Sequence, residues 1–227
     1  MSHGKETPRQ KMIGMMYLVL TALLALNVSK DVLDAFTLVD EGLTETTMNF
    51  AKKNQSFYND FNEAYQVNEV KVQEWKDKAD DVQLRSQELY DFITELKKEI
   101  VIISEGDDTE AIHEDEIYLE HVSGKDNNNI PAEVMITKKK GTELKEQIEE
   151  YRDFLAEMIE DKETYASVHA AIVNTLDTSD PEEVDAHAKG GKPSWESEHF
   201  ENLPLASVIT ILSKMQRDVR NTEAQIL

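Results

Sequence analysis

The segment from Thr7 to Phe36, TPRQKMIGMMYLVLTALLALNVSKDVLDAF, limits what this chain can fold into more than any other stretch. Thr7 is a natural N-cap, Pro8 suits the first helical position, and Gln10 sits where a capping box places its reciprocal partner. No residue from Met12 to Val28 is charged. A helix from Pro8 to Val28, rising ~1.5 Å per residue, matches the ~30 Å hydrocarbon core of a bilayer. One crossing at the very start would make everything after Lys30 a tethered domain on a single side of a membrane.

Charge sets the expected orientation. Lys5, Arg9 and Lys11 precede the apolar run with Glu6 as the lone acid, whereas the whole chain carries −22. The positive-inside tendency places the short N-terminus in the cytoplasm and the acidic bulk outside, in a bacterial periplasm or an extracellular space. A cleaved signal peptide has similar ingredients, but this run is long and Ala22 and Ala25 make a poor A-x-A site. The expected division is a cytoplasmic N-terminus over 1–7, a transmembrane helix over 8–29 and an external domain over 30–227. With no cysteine, that domain has no disulfide and no thiolate metal site. Its acidity argues against nucleic acid or anionic lipid headgroups as the main partner, since both would repel it.

Beyond the apolar run the pattern is all-α. Apolar residues recur at steps of three and four in four stripes. The first runs Phe36, Val39, Leu43, Thr47, Phe50, Asn54, Phe57, Phe61, Tyr65. The second runs Trp75, Ala79, Val82, Ser86, Leu89, Phe92, Leu96, Ile100, Ile103. The third runs from Leu144 through Ile148, Tyr151, Leu155, Met158, Tyr165, Val168 and Ile172 to Leu176, and the fourth from Leu205 through Val208, Leu212, Met215, Val219 and Thr222 to Ile226. Narrow stripes on charged helices predict a bundle of four long helices. Glu105–Thr109 reads as a turn. Residues 117–137 hold two alternating stretches, Ile117–Val122 and Ile130–Thr137, that read as a small β-hairpin or an irregular loop, the hairpin favoured. A turn is expected within 62–68, although no Gly or Pro marks it. Residues 177–202 read as a long loop with a short helix near Pro181. The chain stops at Leu227 in mid-stripe, so further domains are expected to follow. An even number of antiparallel passes would bring the last helix back toward the membrane, and the sequence leaves its direction open.

Within the apolar helix, Gly14, Tyr17, Thr21 and Ala25 fall on one strip. Small and hydroxyl-bearing residues on one face permit close helix approach and interhelical hydrogen bonds in lipid, either in a dimer or against another protein. Arg9 lies on the first turn. Spacing alone fits a snorkelling anchor, or a guanidinium that pairs with a carboxylate on a neighbouring transmembrane helix.

The block PRQKMIGMMYLVLTALLALNVSKDVLDAF, Pro8 to Phe36, resembles the N-terminal signature of the GldM/PorM family, from the Bacteroidetes gliding-motility and type IX secretion motor. The remainder agrees in character, as an acidic helical first periplasmic domain. The resemblance implies a single-pass inner-membrane subunit that forms a homodimer inside a pentamer of GldL/PorL-like subunits. Proton-motive force would rotate the dimer, and a periplasmic shaft would carry the motion to outer-membrane secretion and gliding components. Arg9 matches the family arginine and is expected to pair with a membrane glutamate of the pentamer. The span itself holds no Asp, Glu or His between Met12 and Val28, so any protonatable carboxylate must come from the partner.

Motifs for chemistry are missing from the sequence. There is no glycine-rich phosphate loop, no H-E-x-x-H and no G-x-S-x-G, so no enzyme and no cofactor are expected. His113, Glu116, Glu120 and His121 cluster in sequence but read as a solvated loop, and no metal site is expected. Trp75 and Phe36, Phe50, Phe57 and Phe61 read as core aromatics. The alternative reading is a single-anchor periplasmic sensor or adapter bundle, although such receptors place the bundle between two membrane helices.

Overall fold

The computed structural model describes residues 8–26, 29–114, 116–181 and 193–227, and the side chains of 22–26 lie outside that description. Helix α1 spans Pro8–Leu26 and α2 spans Lys30–Val67. Ser29 caps α2 through its hydroxyl, which accepts from Val32 N–H, and Asp31 adds a negative charge to the positive end of the helix dipole. At ~1.5 Å per residue α2 is ~57 Å long.

The turn expected within 62–68 falls at Asn68, and its chemistry explains why neither Gly nor Pro is needed. Asn68 N–H closes α2 on Ala64 O at 3.0 Å, and its side chain accepts from Lys71 N–H to open α3, Glu69–Glu105. One extended asparagine thus caps both helices. Gly106 ends α3 at φ +94°, a left-handed conformation that favours a residue without Cβ.

The small sheet lies elsewhere than expected. Strands β1, Ile112–His113, and β2, Glu116–Ile117, pair antiparallel. Leu119–His121 is a 3-10 turn, and the stretch expected as a second strand is helical: α4, Asn129–Ala132, continues into a π-helical turn over Glu133–Thr137. The alternation there was misleading because Pro131, Val134 and Met135 are buried together, which suits a helical turn better than a period of two.

The third stripe also divides. Helix α5, Lys140–Met158, stops before Asp161, whose carboxylate accepts from Thr164 N–H and hydroxyl at 3.0 and 2.6 Å; α6, Ala166–Thr175, then runs back along α5. The stripe had missed its step between Met158 and Tyr165, and Tyr165 is exposed. Helix α7, Trp195–Phe200, and α8, Leu205–Ile226, complete the order. Ser194 caps α7, Trp195 N–H donates to Asp180 at 3.0 Å, and His199 and Phe200 stack around the Trp195 ring.

The aliphatic core is formed by α3, α5, α6, α7 and α8, with Ile93, Ile100, Leu144, Leu155, Ile172, Phe200, Leu205, Ile209 and Leu212 fully buried. Helix α2 lies on this core with the expected stripe at its centre, where Thr47 and Asn54 are buried and Leu43 and Tyr65 half-buried. Val39 is the exception and is exposed, whereas Thr37, Asp40 and Tyr58 beside the stripe are buried as well. Trp75, expected in the core, is 59% exposed with Lys78 Nζ 5.0 Å from its ring centroid. It sits on the first turns of α3 next to the α2–α3 turn, beyond the reach of α8. Phe36, Phe50, Phe57 and Phe61 are half-buried.

Two local contacts give direct tests of this packing. A Cβ at Gly141 would lie 2.8 Å from Met135 carbonyl oxygen, where backbone cannot easily yield. Gly141→Ala should therefore destabilise the chain by about 1–3 kcal/mol, read from its urea midpoint. Glu105 accepts from Gly124 N–H at 2.9 Å and from Ser104 hydroxyl at 2.9 Å, tying the end of α3 to the following loop. Burial works to raise its carboxyl, but these hydrogen bonds outweigh it and hold the group below the usual carboxylate range. The stabilisation is complete above the unfolded value of ~4.3 and is lost as pH falls through the lower folded value. Glu105→Gln should flatten that part of the acid limb in urea midpoints taken from pH 6 to 3.

Candidate functional site

On α1, every described side chain from Arg9 to Thr21 is exposed. Pro8 opens the helix, and Thr7, proposed as its cap, lies outside the described residues. Gly14, Tyr17 and Thr21 share one strip, and the Thr21 hydroxyl donates to Tyr17 carbonyl at 2.7 Å. That bond satisfies the hydroxyl within its own helix, as suits a polar group in an apolar setting. Ala25, the fourth member of the strip, has no described side chain. Arg9 and Gln10 are exposed on the first turn. Among the described residues, no helix is long and apolar enough to cross a membrane; the second half of the apolar run, 22–28, falls outside the side chains so described.

The bundle holds a second set of polar residues that the stripes concealed. Asn54 Nδ2 donates to Arg220 carbonyl at 2.9 Å, and Tyr58 hydroxyl donates to Glu223 Oε1 at 2.6 Å. The other Glu223 oxygen accepts from Arg220 at 2.9 Å, Arg220 also donates to Gln87 Oε1 at 2.5 Å, and its guanidinium lies over the Tyr90 ring. Burial together with the Glu223 carboxylate pushes the Tyr58 hydroxyl far above its usual range, so it stays a donor. Nearer α1, Thr210 hydroxyl reaches Phe36 carbonyl at 3.3 Å.

These contacts fix direction. Phe36, Asn54 and Tyr58 meet Thr210, Arg220 and Glu223 in ascending order on both helices, so α8 runs parallel to α2. The α3 pairs run in the opposite sense: Lys97 meets Ser213 and Gln216, and Gln87 meets Arg220. Helices α2, α3, α5 and α6 alternate in direction, and α8 runs along α2 again. The last helix thus points away from the start of α2, which settles the direction that the sequence left open. A seam of directional hydrogen bonds holds this parallel pair in register more strictly than an apolar stripe would.

Sequence reasoning missed Arg220, Glu223, Lys97 and Asp40. The signal was present in Thr47, Asn54, Ser86 and Thr222, polar residues at stripe positions. Asn54 and Ser86 find partners across the fold in the Arg220 carbonyl and the Tyr151 hydroxyl, whereas the Thr47 and Thr222 hydroxyls bond carbonyls of their own helices. The histidines of 113–121 do not converge on a ligand set. Among the described residues, no group of three or more His, Cys, Asp or Glu is arranged to hold a metal ion.

These features define an acidic, mostly helical bundle domain with a small two-stranded sheet, which follows an apolar N-terminal helix and sets its final helix α8 parallel to α2. Residues 31–227 match the pattern of the GldM N-terminal domain. The chain belongs to that family, and so to the components associated with gliding motility and type IX secretion. The match starts where the apolar run ends, so it rests on the bundle and is almost independent of the Pro8–Phe36 resemblance. A comparison with curated proteins finds no match.

Proposed function

We propose that the chain is a non-enzymatic, single-pass inner-membrane motor subunit that transmits rotation, driven by proton-motive force, into the periplasm. Its N-terminus is cytoplasmic, α1 crosses the bilayer, and residues 30–227 lie in the periplasm. Two copies associate through α1 along the Gly14, Tyr17, Thr21 and Ala25 strip, within a pentameric GldL/PorL-like partner. Downstream secretion and gliding components take up the motion.

The observation that carries this reading is the parallel course of α2 and α8. Force received at the base of α2 passes through a polar, register-fixing seam into a helix pointing away from the α1 end, as a shaft requires. Arg9 is the pairing group in the membrane. A partner glutamate would attract it when ionised and release it when protonated, because an ion pair in lipid is costly to break while both ends are charged. Alternation between the two states biases the dimer among rotational positions. Arg9→Ala should abolish gliding and secretion while leaving membrane levels of the protein unchanged, and Arg9→Lys should retain only part of the activity. Near-normal motility in the Arg9→Ala strain would remove the ion-pair step.

A further inference from the structure

A cavity of about 460 Å³ opens between α2, α3 and α8 under the β2–3-10 segment. It is distinct from α1 and adjoins the Arg220–Glu223 seam only at Tyr90, whose ring Arg220 covers. Its wall includes Asp40, which is 3% exposed and whose Oδ1 has no hydrogen-bond partner. A carboxylate oxygen so placed loses hydration without replacement, a penalty that a cationic guest would relieve. Lys97, also on the wall and buried, is already engaged by Ser213 at 2.7 Å and Gln216 at 3.2 Å. Burial lowers its pKa, while the nearby Asp40 and Glu116 carboxylates work against that shift.

The mouth carries Glu41, Glu45, Glu116 and Glu120, while Met48, Ile117, Leu119 and the Tyr90 and Tyr118 rings line the walls. Acid at the rim and inside, with apolar and aromatic walls between, suits a charged head on a hydrocarbon stem. It does not suit an anion or a bare metal ion, since the described residues offer no three-ligand cluster. We propose that this cavity binds a small linear alkylammonium, of the diamine or polyamine class, with one ammonium on Asp40 and the stem along Met48 and Leu119.

The test uses the full-length chain in detergent and calorimetric titration with cadaverine and spermidine at fixed ionic strength. Saturable one-to-one binding is expected, weakened at least tenfold by Asp40→Asn. Glu146→Gln, on α5 away from the cavity, should leave it unchanged and so controls for attraction to the acidic surface at large. Circular dichroism checks that each variant folds. Lys97→Met removes a buried cation from the wall and should keep or strengthen amine binding; loss of amine binding in that variant, still folded, would overturn the assignment. Equal binding by the Asp40→Asn chain, or no saturable binding at millimolar amine, would also overturn it. So would tighter binding of a blocked lysine-containing peptide, which would make the guest a partner's side chain.

Discussion

Glu223→Ala should reduce the stability of the chain by about 3–5 kcal/mol, because it strands the Arg220 guanidinium in a buried site. Glu223 is 1% exposed and joins Tyr58 on α2 to Arg220 on α8, so one truncation breaks two links of the seam. Urea titration of the detergent-solubilised chain measures the loss as a lower midpoint with an unchanged slope. Replacing both charges by apolar residues, Arg220→Met with Glu223→Leu, should cost much less than the single truncation, since no buried charge is left unpaired. Equal losses in the single and double variants would mean that the seam stabilises by packing rather than by charge pairing. Tyr58→Phe provides a graded intermediate of about 1–3 kcal/mol, the penalty of one buried acceptor losing its donor.

Phe200→Ala should be as damaging, about 3–5 kcal/mol, through the cavity left by a fully buried ring. Phe200 packs edge-on to Trp195, with ring centroids 5.7 Å apart, and leads by a short turn into α8. It anchors the connection that turns the chain so that α8 runs along α2. Its loss is therefore expected to loosen α8 at its start, visible as faster amide hydrogen exchange over Leu205–Thr210 than over the middle of α3. Uniform acceleration throughout the bundle would instead indicate a general loss of stability with no local role in directing α8.

The reading of the sequence was most accurate where periodicity was strong and uninterrupted. The stripes at Leu89–Ile100 and Leu205–Val219 belong to helices whose faces are buried as expected, because aliphatic side chains at steps of three and four leave few alternatives. The first stripe held at Thr47 and Asn54, which are buried, and failed at Val39, which is exposed. The neighbouring buried positions, Thr37 and Asp40, are polar and leave no hydrophobic signature. The helical turn over 129–137 was hidden by an alternating pattern too short to separate period two from period 3.6. Trp75 was misplaced because spacing reports a helix face, whereas burial there depends on how far the neighbouring helices extend. Of the candidate residues, the α1 strip and Arg9 rest on sequence pattern alone and belong to the proposed function. Asp40 and Lys97 were not legible in the sequence, since only the fold brings residues so far apart in sequence to one cavity.

The proposed function requires α1 to sit in a bilayer, paired with a second copy and enclosed by a carboxylate-bearing collar. Gentle extraction of the tagged full-length protein from its native membrane, followed by native mass spectrometry, tests it most directly. A complex of two copies of this chain with five of a second membrane protein, dissociating on Arg9→Ala, is the predicted result. Recovery of this chain by itself, with residues 1–26 removed or with no membrane partner attached, would contradict the account.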